Sequence, residues 1–152
     1  MVNNFQKIGS VSNAHVGSDF EKVAQEYFGR QGIVLRKGHS VQIGFSSKRD
    51  HKFDLRADKP PMLVECKAHT WTAGGNVPSA KITVWNEAML YFSLAPSDCR
   101  KILFVLRDWS EERGESLAQY YARTHDHLIP DGVEIWEHDV STSSATKTYP
   151  KS

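Results

Sequence analysis

Lys52-Phe53-Asp54-Leu55-Arg56-Ala57-Asp58-Lys59-Pro60-Pro61-Met62-Leu63-Val64-Glu65-Cys66-Lys67 reads as two strands folded back on one turn. Asp58-Lys59-Pro60-Pro61 is the turn, because proline fixes φ and lacks the N–H that a strand interior needs. The flanking strands are expected over Lys52–Ala57 and Met62–His69. Centring the turn between Lys59 and Pro60 sets Phe53 opposite Cys66 and Leu55 opposite Val64, so that one face is apolar throughout. The other face then carries Lys52 opposite Lys67, Asp54 opposite Glu65 and Arg56 opposite Leu63.

That register puts two carboxylates across one ladder, with Cβ atoms expected about 4.5–5.5 Å apart. Facing like charges are destabilising unless a proton, a cation or a metal ion neutralises them. Lys67 lies two residues beyond Glu65 and projects on the same face. Asp54, Glu65 and the main-chain carbonyl of Cys66 offer hard oxygen donors suited to Mg²⁺, with Mn²⁺ expected to substitute. A lysine beside such a group can orient an attacking water or stabilise charge growing on a phosphate. The plainer reading of the same residues is a solvated face with salt bridges.

Working outward, the first helix is expected to begin near Ser18. Ser18-Asp19-Phe20-Glu21 has capping-box spacing, and Phe20, Val23, Ala24, Tyr27 and Phe28 recur at helical intervals. A strand is expected at Val41–Phe45, a glycine loop from Thr72 to Val77, and a second helix from Pro78 to Leu94. The apolar run Ile102–Leu106 reads as a strand buried on both faces. A third helix is expected over Glu111–His125 and a last strand over Val133–Glu137. This order, α-β-β-β-α-β-α-β, predicts an α/β (α+β) fold with a mixed central sheet flanked by helices. The length of 152 residues fits one domain, expected over residues 1–140, and the Ser/Thr-rich residues 141–152 are expected to be a mobile tail.

An acid followed after ten residues by Glu65-Cys66-Lys67, inside an αβββαβ order, resembles the PD-(D/E)XK nuclease superfamily, of restriction-endonuclease-like fold. The resemblance runs from about Gly17 to Leu106. It departs from the usual motif at Phe53, which stands where that family often has proline. It implies an Mg²⁺-dependent nuclease hydrolysing DNA, an endonuclease of restriction, resolvase or repair type. Asp54 and Glu65 are then the metal ligands and Lys67 the catalytic lysine. The resemblance also gives Glu21 a place near the metal, whereas the capping box gives it a bond to the Ser18 backbone. Lys81, early in the second helix, matches a position that the family often directs at its site. The alternative on the same fold is a non-catalytic nucleic-acid-binding or assembly module; an unrelated α/β binding protein fits only if the register is wrong.

The chain carries 19 Lys+Arg against 18 Asp+Glu, a net +1, which by itself argues against a nucleic-acid partner. The sum hides a segregation. Arg36 to Lys59 carries +4, whereas Asp108 to Asp139 carries −7. Lys48, Arg49 and Lys52 in the basic segment, together with His69 and Lys81, are therefore the expected nucleic-acid contacts, with DNA preferred to RNA. His39 and His51 are further candidates for phosphate. Trp71 and the Gly74-Gly75-Asn76 loop offer surface for stacking on bases.

His125-Asp126-His127 has no further Cys or His at zinc spacing. P-loop, dinucleotide-binding and nucleophile-elbow motifs are absent. Cys66 and Cys99 are expected as reduced thiols of a cytoplasmic protein. The opening residues lack the apolar stretch of a signal peptide, and no membrane association is expected. Cutting both strands with one centre per chain would call for a homodimer.

Overall fold

A computed structural model describes residues 13–151, with side chains from Asp19 onward. The elements run α1 (Asn13–Arg30), β1 (Ser40–Ile43), β2 (Arg49–Lys52), β3 (Leu55–Asp58), β4 (Pro61–Lys67), α2 (Ser79–Leu94), β5 (Arg100–Leu106), β6 (Trp109–Ser110), β7 (Glu115–Ser116), α3 (Leu117–Thr124), β8 (Val133–Asp139) and β9 (Ser144–Tyr149). The chain is α+β, built on a mixed five-stranded sheet of order β3-β4-β5-β8-β9. The outer pairs β3/β4 and β8/β9 are antiparallel, and the inner strands β4, β5 and β8 are parallel. None of the described helices is long and apolar enough to cross a membrane.

The alternation of β4 and β5 explains the layering. Met62, Val64, Ile102 and Phe104 point to one side, where they are packed with Leu55 and Ala57 against Phe20, Ala24 and Phe28 of α1. Leu63, Leu103 and Val105 point to the other, against Ile82, Trp85, Met89 and Phe92 of α2 and Leu117 and Tyr121 of α3. Ile102–Leu106 is buried on both faces, as its unbroken apolar run requires.

The hairpin register is as the turn predicts over Leu55↔Val64, Arg56↔Leu63, Ala57↔Met62 and Asp58↔Pro61. It stops there. The expected continuous strand Lys52–Ala57 is broken at Phe53 and Asp54, and Lys52 pairs with Ser40 instead of Lys67. Phe53 leaves the face it was expected to share with Leu55. It enters the α2-side core and stacks on Phe92, with ring centroids 5.4 Å apart and planes 8° apart. Burial against a second ring gives Phe53 more apolar contact than a place opposite Cys66 would.

The strand expected at Val41–Phe45 forms as β1, Ser40–Ile43, but outside the central sheet. β1 and β2 form their own two-stranded hairpin, while the outer edge of β3 is met by Arg36, whose N–H and C=O exchange bonds with Arg56 at 2.8 and 2.9 Å.

Three further boundaries differ from expectation. α1 is already helical at Asn13, so Ser18 and Glu21 lie inside the helix and their spacing does not mark its start. α3 begins at Leu117, where Ser116 and Gln119 make a true capping box; Gly114, at φ +68°, turns the preceding residues into the small β6/β7 hairpin. Residues expected as a mobile tail form strand β9 against β8. β-branched Thr146 and Thr148 with Tyr149 suit such a half-buried strand, and the Thr148 hydroxyl donates to the buried Glu137 carboxylate.

Candidate functional site

The break at Phe53-Asp54 and the end of β4 meet just past the last ladder pair. There the side chains replace the ladder. The Cys66 N–H donates to Asp54 Oδ2 at 2.8 Å, and the Asp54 N–H donates to Glu65 Oε1 at 3.2 Å. Two main-chain donors that regular pairing would have satisfied thus hold two carboxylates in place. In an extended strand the N–H and C=O of one residue leave on the same side. The Cys66 carbonyl is therefore directed to the side on which Asp54 lies.

Glu65 is 6% exposed. Lys67 Nζ stands 3.6 Å from its Oε2, and His51 Nε2 stands 4.0 Å from its Oε1. Burial, and then the neighbouring Asp54 charge, push the Glu65 carboxyl up to about 8; Lys67 offsets only part of this. The His51 ring stacks on Tyr91, with centroids 4.0 Å apart, and meets Phe53 at a near right angle, with centroids 4.7 Å apart. Its Nε2 is buried without a hydrogen-bond partner, and burial lowers its pKa below the usual 6.5.

From the opposite layer, α1 brings Glu21 to the same place. Burial raises its pKa and the Asp54 charge raises it further, whereas Lys37, with Nζ 3.4 Å from Glu21 Oε1, and Lys67 pull it down. The Cys66 thiol is held well above its ordinary value by burial, then by Asp54, Glu21 and Glu65, and stays protonated.

The structure therefore gathers Asp54, Glu65, Lys67 and Cys66, with Glu21 at the rim. Sequence reasoning left His51 and Lys37 out of this centre. Only recognition of β2 as a separate strand would have shown that His51, three residues before Asp54, folds back onto Glu65. Among the described residues, no group of three or more His, Cys, Asp or Glu side chains is arranged as a ready metal cage. The side-chain donors are the pair Asp54 and Glu65. A cation here would fill its remaining positions with main-chain oxygen, water and a bound phosphate.

Of the expected nucleic-acid contacts, Lys48, Arg49 and Lys52 are exposed on the β1–β2 hairpin, which leads directly through Phe53 into Asp54. Lys48 Nζ also closes the hairpin tip by donating to the Gly44 carbonyl at 2.7 Å. Lys81 is exposed on the first turn of α2.

His69 differs from expectation as a charged contact. Its Nδ1 accepts the Trp85 indole N–H at 2.9 Å, and burial, with Lys67 and Lys81 nearby, lowers its pKa to about 4, so it is neutral. Trp71 is core, not a stacking surface: its indole N–H donates to the Asp108 carbonyl, and Arg113 covers its ring at 4.7 Å. The +4 segment is also partly spent, because Arg36 and Arg56 both pair with Asp58. Among known proteins, the chain matches no family model, no curated protein and no solved structure.

Proposed function

We propose that this chain is a divalent-metal-dependent nuclease that hydrolyses DNA phosphodiester bonds, on a core of restriction-endonuclease-like type. The observation that carries the reading is the locked pair Asp54–Glu65 with Lys67 beside it. Asp54 Oδ2 accepts from the Cys66 N–H and Glu65 Oε1 from the Asp54 N–H, and burial with the Asp54 charge pushes the Glu65 carboxyl up to about 8. The two carboxylates satisfy main-chain donors that neutral side chains could also satisfy, whereas a facing acid pair costs stability unless a cation is held. The order of elements supports the core type: α1, then Arg36 beside β3, β3 beside β4, then α2 and the parallel strand β5.

The donor set fits Mg²⁺ or Mn²⁺, hard cations that select carboxylate and carbonyl oxygen. Asp54, Glu65 and the Cys66 carbonyl would hold the ion, which supplies positive charge to the phosphoryl group and acidifies water. The chain's own residues do the rest. The Lys67 ammonium, 3.6 Å from Glu65, orients the attacking water and offsets negative charge that grows on the phosphate. His51, packed on Tyr91 and Phe53, stands 4.0 Å from Glu65 Oε1 with its buried Nε2 unbonded, and so lines that side of the carboxyl. Glu21 keeps a third carboxylate at the rim, tethered by Lys37.

The test is incubation of supercoiled, linear and single-stranded DNA with Mg²⁺, Mn²⁺ or EDTA, with wild type beside Asp54→Ala and Lys67→Ala. Metal-dependent cutting by wild type and its loss in both variants are expected. Cutting that survives both substitutions refutes the site. No cutting, with salt-sensitive binding retained, makes the chain a non-catalytic binding module instead.

A further inference from the structure

The β1–β2 hairpin ends in the loop Gly44-Phe45-Ser46-Ser47-Lys48, and at its tip Phe45 is 78% exposed. This exposure is built rather than accidental. Gly44 sits at φ +139°, and a Cβ there would run into the Ser47 carbonyl oxygen, so only glycine closes the loop this way. The Lys48 ammonium seals it from the other side by donating to the Gly44 carbonyl. Behind the tip, Val41 and Ile43 are buried in the α2-side core, and Ser40 and Gln42 alternate outward. The hairpin is thus an anchored arm that presents one aromatic ring to solvent.

The surroundings of the ring select its partner. Lys48, Arg49 and Lys52 are exposed along the same arm, with Asp50 the one acid among them. Cations flanking a lone aromatic ring match a nucleic-acid strand, whose phosphates take the charges while a base stacks on the ring. A protein interface asks for about 800 Å² per partner, and one phenyl ring among serines and lysines is far short of that. The six residue steps from Phe45 to His51, only those from Arg49 onward lying in a strand, limit the reach to at most about 20 Å at about 3.3 Å per step, or no more than about six nucleotide steps of one strand.

We infer that Phe45 stacks on an unpaired base, and that the preferred substrate is DNA carrying a gap, mismatch or branch within about six nucleotides of the phosphate at Glu65. This inference rests on the reading of the centre as a DNA-cleaving one. In paired DNA each base face is already covered by its neighbours, so an aromatic tip must first unstack a step at a cost of about a few kcal/mol, which a gap, mismatch or branch removes.

The test uses the full chain in EDTA, where binding is read without cleavage. Fluorescence anisotropy compares a perfect duplex with the same duplex carrying a three-nucleotide gap. Wild type is expected to favour the gapped form by roughly tenfold, within the range of one stacked base. Phe45→Ala is expected to bring the ratio to about 1 with duplex affinity and melting temperature unchanged, and Phe45→Trp to keep the preference. Equal preference in wild type and Phe45→Ala overturns the inference, as does absence of any preference in wild type. A Phe45→Ala variant that changes sedimentation from dimer to monomer without changing the ratio assigns the ring to a second copy of the chain, and also overturns it. Failure of the nuclease reading is separate: it shows as no cutting of either substrate in Mg²⁺, whatever the binding ratio.

Discussion

Glu65→Gln removes a charge and keeps the shape, so it isolates what burial of that carboxyl does to the metal-free protein. The carboxyl moves from an ordinary 4.5 to about 8 in the folded chain, because burial and the Asp54 charge both disfavour ionisation. A raised acid contributes stability that is complete below its unfolded pKa and is lost as pH rises through the folded one. The window is thus from 4.5 to about 8, and the sign is a loss with rising pH. Taking about 1.36 kcal/mol per tenfold, wild type in EDTA loses on the order of 3 kcal/mol between pH 5 and pH 8 relative to Glu65→Gln. For a chain of this size that is a relative fall of roughly 6–12 °C in Tm. Thermal melts of both proteins in EDTA across that range give the difference directly, and the titration of groups remote from Glu65 cancels in it. Added Mg²⁺ is expected to restore wild type at pH 8 and leave Glu65→Gln unmoved, since a bound cation stabilises only the state that holds it. Parallel Tm curves for the two proteins, or a wild type that gains on Glu65→Gln as pH rises, would refute the argument that Glu65 is an uncompensated acid.

Other expectations are simpler. Replacing Lys48, Arg49 and Lys52 together by Ala is expected to lower the slope of log affinity against log salt by about 2.7 if each holds one phosphate; an unchanged slope places the DNA elsewhere. Phe104→Ala, at the centre of the α1-side core, is expected to cost about 3–5 kcal/mol by denaturant unfolding. Ser116→Ala removes the side chain that caps α3 and is expected to cost about 1 kcal/mol by denaturant unfolding.

How far the sequence carried can be seen at the turn itself. Two prolines fixed where the chain reverses, and from there Leu55↔Val64 and its companions follow by counting. The same count brings Asp54 to Glu65, which the structure keeps through side-chain bonds after the ladder has ended. The count fails one residue earlier. Alternation knows only near and far faces of one sheet, whereas Phe53 was drawn across to the other layer by Phe92, a residue 39 positions away in the chain. The place of His51 escapes for the same reason, since it depends on ring contacts with Phe53 and Tyr91 that no local pattern encodes. The capping-box spacing at Ser18 misled because a helix will run on through a capping sequence when its upstream residues tolerate helix; the true box at Ser116 lies behind Gly114. Strand β9 hid in a polar, Ser/Thr-rich segment because an edge strand needs only one buried side chain in several, here Thr148.

The crossover at Phe53 separates two jobs along the chain. Everything from Ser40 to Lys52 hangs from the rest of the molecule by His51, Phe53 and the two inward residues Val41 and Ile43, and shares no ladder with the central sheet. A different loop grafted between Ile43 and Arg49 would therefore leave the carboxylates where they are. In protein engineering, the arm becomes a cassette: its tip can be lengthened, shortened or re-sequenced to change what is gripped, while the chemistry at the end of β4 is inherited intact.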